Sequence, residues 1–180
     1  MRPRAKTGTV PVNQARPSMA ITIFTTGGTL DKVYFDAKGG YEVGAPVVRE
    51  ILEHGRVTDP VAIVELLRKD SLEMIDADRE LIRQAVATCN TSGVIITHGT
   101  DTMVDTATVL AAIGGKTIVL TGALQPGRFA DSDGPFNLGM AIAAVQTSPP
   151  GVYIVANGRV FDARRVRKDR ARNRFEATGA

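Results

Sequence analysis

Five short aliphatic runs set the limits on what this chain can fold into. AITIFTT (20–26), VAIVELL (61–67), GVIITHG (93–99), TIVLTG (117–122) and GVYIVAN (151–157) recur along it, separated by longer amphipathic stretches. Runs this short cannot span a membrane, which takes roughly 20 apolar residues, and their continuous apolarity predicts strands buried on both faces. Between the first two, Pro46 opens a helix with Val47, Val48, Ile51 and Leu52 on one side. A second helix is predicted from Asp76 to Cys89, with Leu81, Ile82, Ala85 and Val86 facing inward. Two more are predicted over 100–113 and 135–145, and GRVFDA (158–163) reads as a short return hairpin. Strands alternating with helices require a parallel sheet covered on both sides. The expected class is α/β, three layers around a parallel sheet, with flavodoxin-like or Rossmann-like winding.

Composition narrows the organisation further. Residues 1–18 hold three prolines and four basic residues with no apolar period. They read as a disordered extension, native or an expression remnant, and order is expected from Met19. Residues 19–180 suffice for one domain with a proper core, and two would be cramped. A hydrophobic fraction of 43% with 23% charged residues is that of an ordinary soluble domain. The net charge of +3 is mild, but Arg and Lys crowd both the first sixteen residues and the run 164–174. The single cysteine, Cys89, cannot form an internal disulfide, and no apolar core follows the basic N-terminus as in a secretory leader. A cytoplasmic protein is expected.

In open parallel sheets ligands bind beyond the carboxyl ends of the strands. Those ends are rich in hydroxyls, glycine and carboxylate: Thr25-Thr26-Gly27-Gly28-Thr29, Lys69-Asp70-Ser71, Thr97-His98-Gly99-Thr100-Asp101-Thr102, Thr121-Gly122-Ala123 and Asn157-Gly158. Loops of a purely structural α/β domain also carry Gly and Asp, but hydroxyl clusters at three consecutive strand ends favour a small polar substrate. Other chemistries fit less well. No G-x-G-x-x-G follows the first strand, and Gly115-Lys116-Thr117 precedes a strand, with Leu110 where a phosphate-binding loop needs glycine. His54, His98 and Cys89 make no metal-ligand spacing. His98, just after an aliphatic run, reads as a hydrogen-bonded structural histidine. A hydroxyl nucleophile would then need another activator, such as a lysine oriented by a carboxylate.

TTGGTL (25–30), ITHGTDTMVDTA (96–107), DGPFNL (133–138) and D-x-R-x-V-x-K (162–168) together resemble the bacterial-type L-asparaginases, over about residues 20–168. The resemblance is to the N-terminal domain of the longer enzymes, as in short single-domain forms. It implies an amidohydrolase that converts L-asparagine to L-aspartate and ammonia without metal or organic cofactor, with glutamine as a minor substrate. It also implies a homodimer or homotetramer. Thr29 becomes the nucleophile. Tyr41, in a loop ahead of Val43-Gly44, becomes a second catalytic residue, and Ser71 binds the substrate α-carboxylate. Thr100 becomes the second catalytic threonine, Asp101 receives the substrate ammonium, and Lys168 is the partner of Thr100. Two departures stand out: Leu72 replaces a common glutamine, and the second domain, which sends an acidic residue across a dimer interface, has no room in 180 residues.

Each residue also has a plainer reading. Thr29 caps a turn, Tyr41 lies on a surface loop, Ser71 is a turn residue, and Lys168 belongs to the solvated run RRVRKDRARNR. Three alternatives stay open: a polyanion- or nucleic-acid-binding module using that basic run, an inactive asparaginase fragment, and a glutamine-preferring amidohydrolase or amidotransferase subunit.

Overall fold

Strand identity follows the aliphatic runs closely. A computed structural model describes residues 19–36 and 39–179, so the extension predicted over 1–18 lies outside the described residues. The first run forms β1 (Ile21–Gly27), followed by one 3-10 turn over Thr29–Asp31. The segment expected to be a loop instead forms an antiparallel hairpin, β2 (Lys32–Phe35) with β3 (Gly40–Val43). Next come α1 (Val48–His54), β4 (Val61–Lys69), α2 (Asp76–Thr88), β5 (Gly93–Thr97) and α3 (Met103–Leu110). The chain continues through β6 (Thr117–Thr121), α4 (Gly134–Thr147), β7 (Gly151–Ala156) and β8 (Arg159–Asp162). It closes with a second antiparallel hairpin, β9 (Val166–Asp169) with β10 (Arg174–Ala177).

The main sheet runs β4-β1-β5-β6-β7-β8, parallel except for the β7–β8 return. Counting the parallel strands in chain order gives 2-1-3-4-5, which is the flavodoxin-like of the two windings. The strand order reverses between β1 and β5, so a crevice is expected beyond their carboxyl ends. On one face Ile82 and Val86 of α2 and Met103, Ala107 and Leu110 of α3 close the core. On the other, Val48, Ile51 and Leu52 of α1 pack beside Leu138, Ala141 and Val145 of α4. Each Val, Leu, Ile or Met among these, fully buried, stabilises the fold by roughly 1.5–3 kcal/mol, and the alanines contribute less.

Three expectations need correction. β5 and β6 are buried throughout, but β4 is an edge strand with Val64 exposed, so not every run is covered on both faces. Leu81 points to solvent, because in α2 the inward stripe is Ile82 and Val86 with Ala85 beside it. The helix predicted over 100–113 begins only at Met103. Residues 100–102 are held instead by contacts to Ser71 and to Lys168 of β9, and at the far end Gly115 adopts φ 74°, a left-handed conformation suited to glycine.

Candidate active site

The loops after β1, β4 and β5 meet through glycine. A Cβ on Gly28 would lie 2.5 Å from the Cα and N of Gly99, and one on Gly99 would lie 2.5 Å from Ser71 Oγ. Only hydrogen at both positions permits this approach, which places Thr29, Ser71 and Thr100 on neighbouring backbone. Hydrogen bonds fasten the junction: Thr26 Oγ1 donates to Thr97 O at 2.8 Å, and Thr102 Oγ1 donates to Ser71 O at 2.8 Å. Gly28 N–H donates to Lys69 O at 2.9 Å. Ser71 is buried and Thr29 half-buried.

The arginines of the basic C-terminal run are solvated as its composition suggests, but Lys168 is not. Along β9 the side chains alternate, so Val166 enters the core and Lys168 follows it inward while Arg167 points out. The Lys168 side chain is 8% exposed. Its Nζ donates to Thr100 Oγ1 at 2.6 Å and to Asp101 Oδ1 at 2.7 Å. Phe175, opposite Lys168 in β10, is buried and anchors the hairpin. Thr100, Asp101 and Lys168, separated by 67 and 68 positions in sequence, thus form one contact group.

Tyr41 stands apart from that group. It is half exposed on β3, edge-on to Tyr34 across the hairpin (5.5 Å between ring centroids) and to Phe129 (6.1 Å). The neck of this hairpin is tied at Asp31, whose carbonyl accepts from Gly44 N–H at 2.8 Å and whose Oδ1 accepts from Val47 N–H at 2.9 Å. Burial pushes the Asp31 carboxyl up to about 6, against the Val47 hydrogen bond and the Arg128 charge. Among the described residues, Asp31 Oδ2 has no hydrogen-bond partner.

Sequence reasoning missed a second tie between hairpin and site. Lys32 Nζ on β2 lies 2.7 Å from Asp70 Oδ2, beside Ser71. Burial raises the Asp70 carboxyl, but Lys32, the Leu72 N–H and the charge of Lys168 outweigh it and leave Asp70 below the usual carboxylate range. No local pattern marks a pair 38 residues apart. The DGPFNL motif proves to be scaffolding: Asp133 Oδ1 accepts from Leu124 and Gln125 N–H, and Asn137 Nδ2 donates to Gly122 O. His98 is buried, with Nδ1 2.7 Å from Gly99 O and Nε2 2.8 Å from Thr106 Oγ1.

A flavodoxin-ordered α/β domain with threonines, a carboxylate and a lysine gathered at its switch point belongs to the class of open α/β domains whose sites lie beyond the strand ends. The comparisons specify which. The model of the family described as "Asparaginase, N-terminal" matches residues 20–178, and the chain belongs to the asparaginase family. L-asparaginase 2 of Escherichia coli (strain K12) is 34% identical over 159 residues, covering 82% of this chain and 46% of the relative. Glutaminase-asparaginase of Acinetobacter glutaminasificans is 30% identical over 166 residues, covering 82% and 49%. The structure of a probable cytoplasmic L-asparaginase from Campylobacter jejuni superposes with a TM-score of 0.74 at 28% identity, over 88% of this chain and 51% of that one. The chain spans about half the length of the curated relatives it matches.

Proposed function

We propose that this chain hydrolyses the side-chain amide of L-asparagine to L-aspartate and ammonia, with Thr29 as nucleophile. The observation that carries the reading is the contact of Lys168 Nζ with Thr100 Oγ1 and Asp101 Oδ1 beside the Gly27-Gly28-Thr29 turn. An ammonium that donates to Thr100 Oγ1 makes that hydroxyl more acidic and leaves its own proton free to point into the crevice. Thr29 Oγ adds to the amide carbonyl, and its proton passes to the departing nitrogen through the Thr100 hydroxyl. The C–N bond breaks, ammonia leaves, and an aspartyl ester remains on Thr29. Water then attacks the ester, giving its proton back along the same route, and aspartate departs as Thr29 regains its hydrogen. Backbone N–H groups near Thr100 stabilise the oxyanion of both tetrahedral intermediates.

Substrate contacts follow the same residues: Asp101 for the ammonium and Ser71 for the α-carboxylate, with Tyr41 brought in by its hairpin. Glutamine is a minor substrate in this reading, as one relative's name includes glutaminase. A homodimer or homotetramer and a cytoplasmic location are part of the proposal, the latter resting on the lone cysteine. Among the described residues no helix is long and apolar enough to cross a membrane.

Ammonia release by the purified chain, with asparagine and glutamine in turn, tests the activity. Thr29→Ala is expected to remove nearly all turnover while leaving the melting temperature near wild type. A loss under about tenfold, roughly 1.4 kcal/mol of barrier, would overturn the role of Thr29.

A further inference from the structure

The Gly99–Thr100 peptide carries both a fixed carbonyl and a candidate oxyanion donor. Gly99 O can only accept, so the His98 nitrogen 2.7 Å away, Nδ1, bears the proton. Nε2 is then the acceptor for the Thr106 hydroxyl at 2.8 Å. Both contacts are buried, and the His98 side chain has no freedom to exchange them for water. The described peptide bonds are all trans. In a planar trans peptide the C=O and N–H vectors are antiparallel. Holding the Gly99 carbonyl against the imidazole therefore aims the Thr100 N–H away from the ring. Among the described residues no acceptor lies on that N–H.

We infer that His98 is a positioning residue, a lock on the Gly99–Thr100 peptide plane that keeps the Thr100 N–H aimed into the crevice as an oxyanion donor. The inference rests on the proposed amide hydrolysis and assigns a task to a side chain that the proton transfers do not use. Packing against Gly28 and Ser71 holds the Gly99 Cα, but without the lock the peptide plane beyond it can turn, because Gly99 has no Cβ to restrict its ψ and is followed by a turn rather than a helix. The surroundings keep the ring neutral: burial pushes His98 down to about 4 and Arg79 on α2 adds to this, while the Gly99 carbonyl and Asp105 on α3 pull the other way. Nδ1 carries its hydrogen in the neutral and the charged ring alike, so the lock does not depend on pH within the stable range.

The test compares two amides in the histidine's place. Asn puts an N–H donor at the same bond distance from Cβ as Nδ1, whereas Gln puts it where Nε2 was. With ammonia release by the wild type established, His98→Asn is expected to keep kcat within about threefold, and His98→Gln to lose about tenfold or more. Binding of the product L-aspartate, measured by calorimetry, is expected to stay within about threefold in both. Equal kcat values for the two variants, or a loss that appears in aspartate affinity instead of kcat, would overturn the lock while leaving the proposed function standing. A wild type that releases no ammonia overturns both. The imidazole nitrogens of the wild type, observed by 15N NMR, decide the matter without any variant: the Nδ1-protonated ring supports the lock, and the Nε2-protonated ring overturns it.

Discussion

The two small hairpins began alike in sequence and end differently in space. Both lack an aliphatic run, both were read as irregular or solvated segments, and both fold as two four-residue antiparallel strands. The second, β9–β10, sinks Val166 and Phe175 into the core, with 5% and 4% of their surface exposed. Lys168 shares a strand face with Val166 and is carried inward. The first, β2–β3, turns Tyr34, Phe35 and Tyr41 outward and is held by its neck, through Asp31 and the Lys32–Asp70 pair. A hairpin delivers a side chain to a site when its alternation also gives the core an apolar anchor. One held at its neck, with the Tyr41–Phe129 ring contact beyond it, keeps its aromatic side chains on the surface.

That contrast can be broken most directly at the anchor. Phe175→Ala is expected to destabilise the protein by about 3–4 kcal/mol in urea unfolding, as for other buried aromatic truncations. Tyr34→Ala, on the outward hairpin, is expected to cost less than about 1 kcal/mol. Equal costs would erase the distinction between the hairpins.

The next largest effect concerns what the anchor positions. Lys168→Met is expected to lower kcat about a hundredfold, roughly 2.7 kcal/mol of barrier, while Arg167→Met on the outward face of the same strand leaves kcat nearly unchanged. A polyanion-binding role for the basic run predicts instead that both substitutions lower the salt needed for heparin elution by similar small steps. Steady-state ammonia release and heparin elution on the same two variants separate these accounts.

The neck of the first hairpin sharpens the comparison through pH. Asp31 titrates at about 6 when folded against an ordinary 3.8, so its protonated form favours the folded state. The stability it contributes is complete below pH 3.8 and is lost as pH rises through 6. Moving from pH 4 to pH 8, the unfolding free energy of Asp31→Asn is expected to gain about 2 kcal/mol on wild type. His98 runs the opposite way: depressed to about 4, it contributes stability above pH 6.5 that is lost as pH falls through 4. Parallel pH–stability curves for Asp31→Asn and wild type would remove the buried carboxyl from the account.

The smallest expected effect is at the tip. Tyr41→Phe keeps the ring contacts with Tyr34 and Phe129 and removes only the hydroxyl, and kcat is expected to fall about tenfold if the hairpin closes on substrate. An unchanged kcat would confine Tyr41 to packing.

Short-range pattern by itself determined the five strands, the four helices and the α/β class, because aliphatic continuity and 3.6-residue periodicity are set by neighbours in sequence. The choice between flavodoxin-like and Rossmann-like order was not there to read, since nothing local states which strands pair. The strand-end motifs nominated Thr29, Ser71, Thr100 and Asp101, and the structure packs their loops together through Gly28 and Gly99. Lys168 is the opposite case. Within RRVRKDRARNR every charge has the same local physical appearance, and only the place of Lys168 in D-x-R-x-V-x-K sets it apart from Arg167. Only the long-range seating of Val166 and Phe175 decides which side of β9 faces inward, and with it which cation meets Thr100 and Asp101. The Lys32–Asp70 pair and the Asp31 neck belong to the same class of fact: each joins residues whose proximity exists only once the sheet has brought its strand ends together.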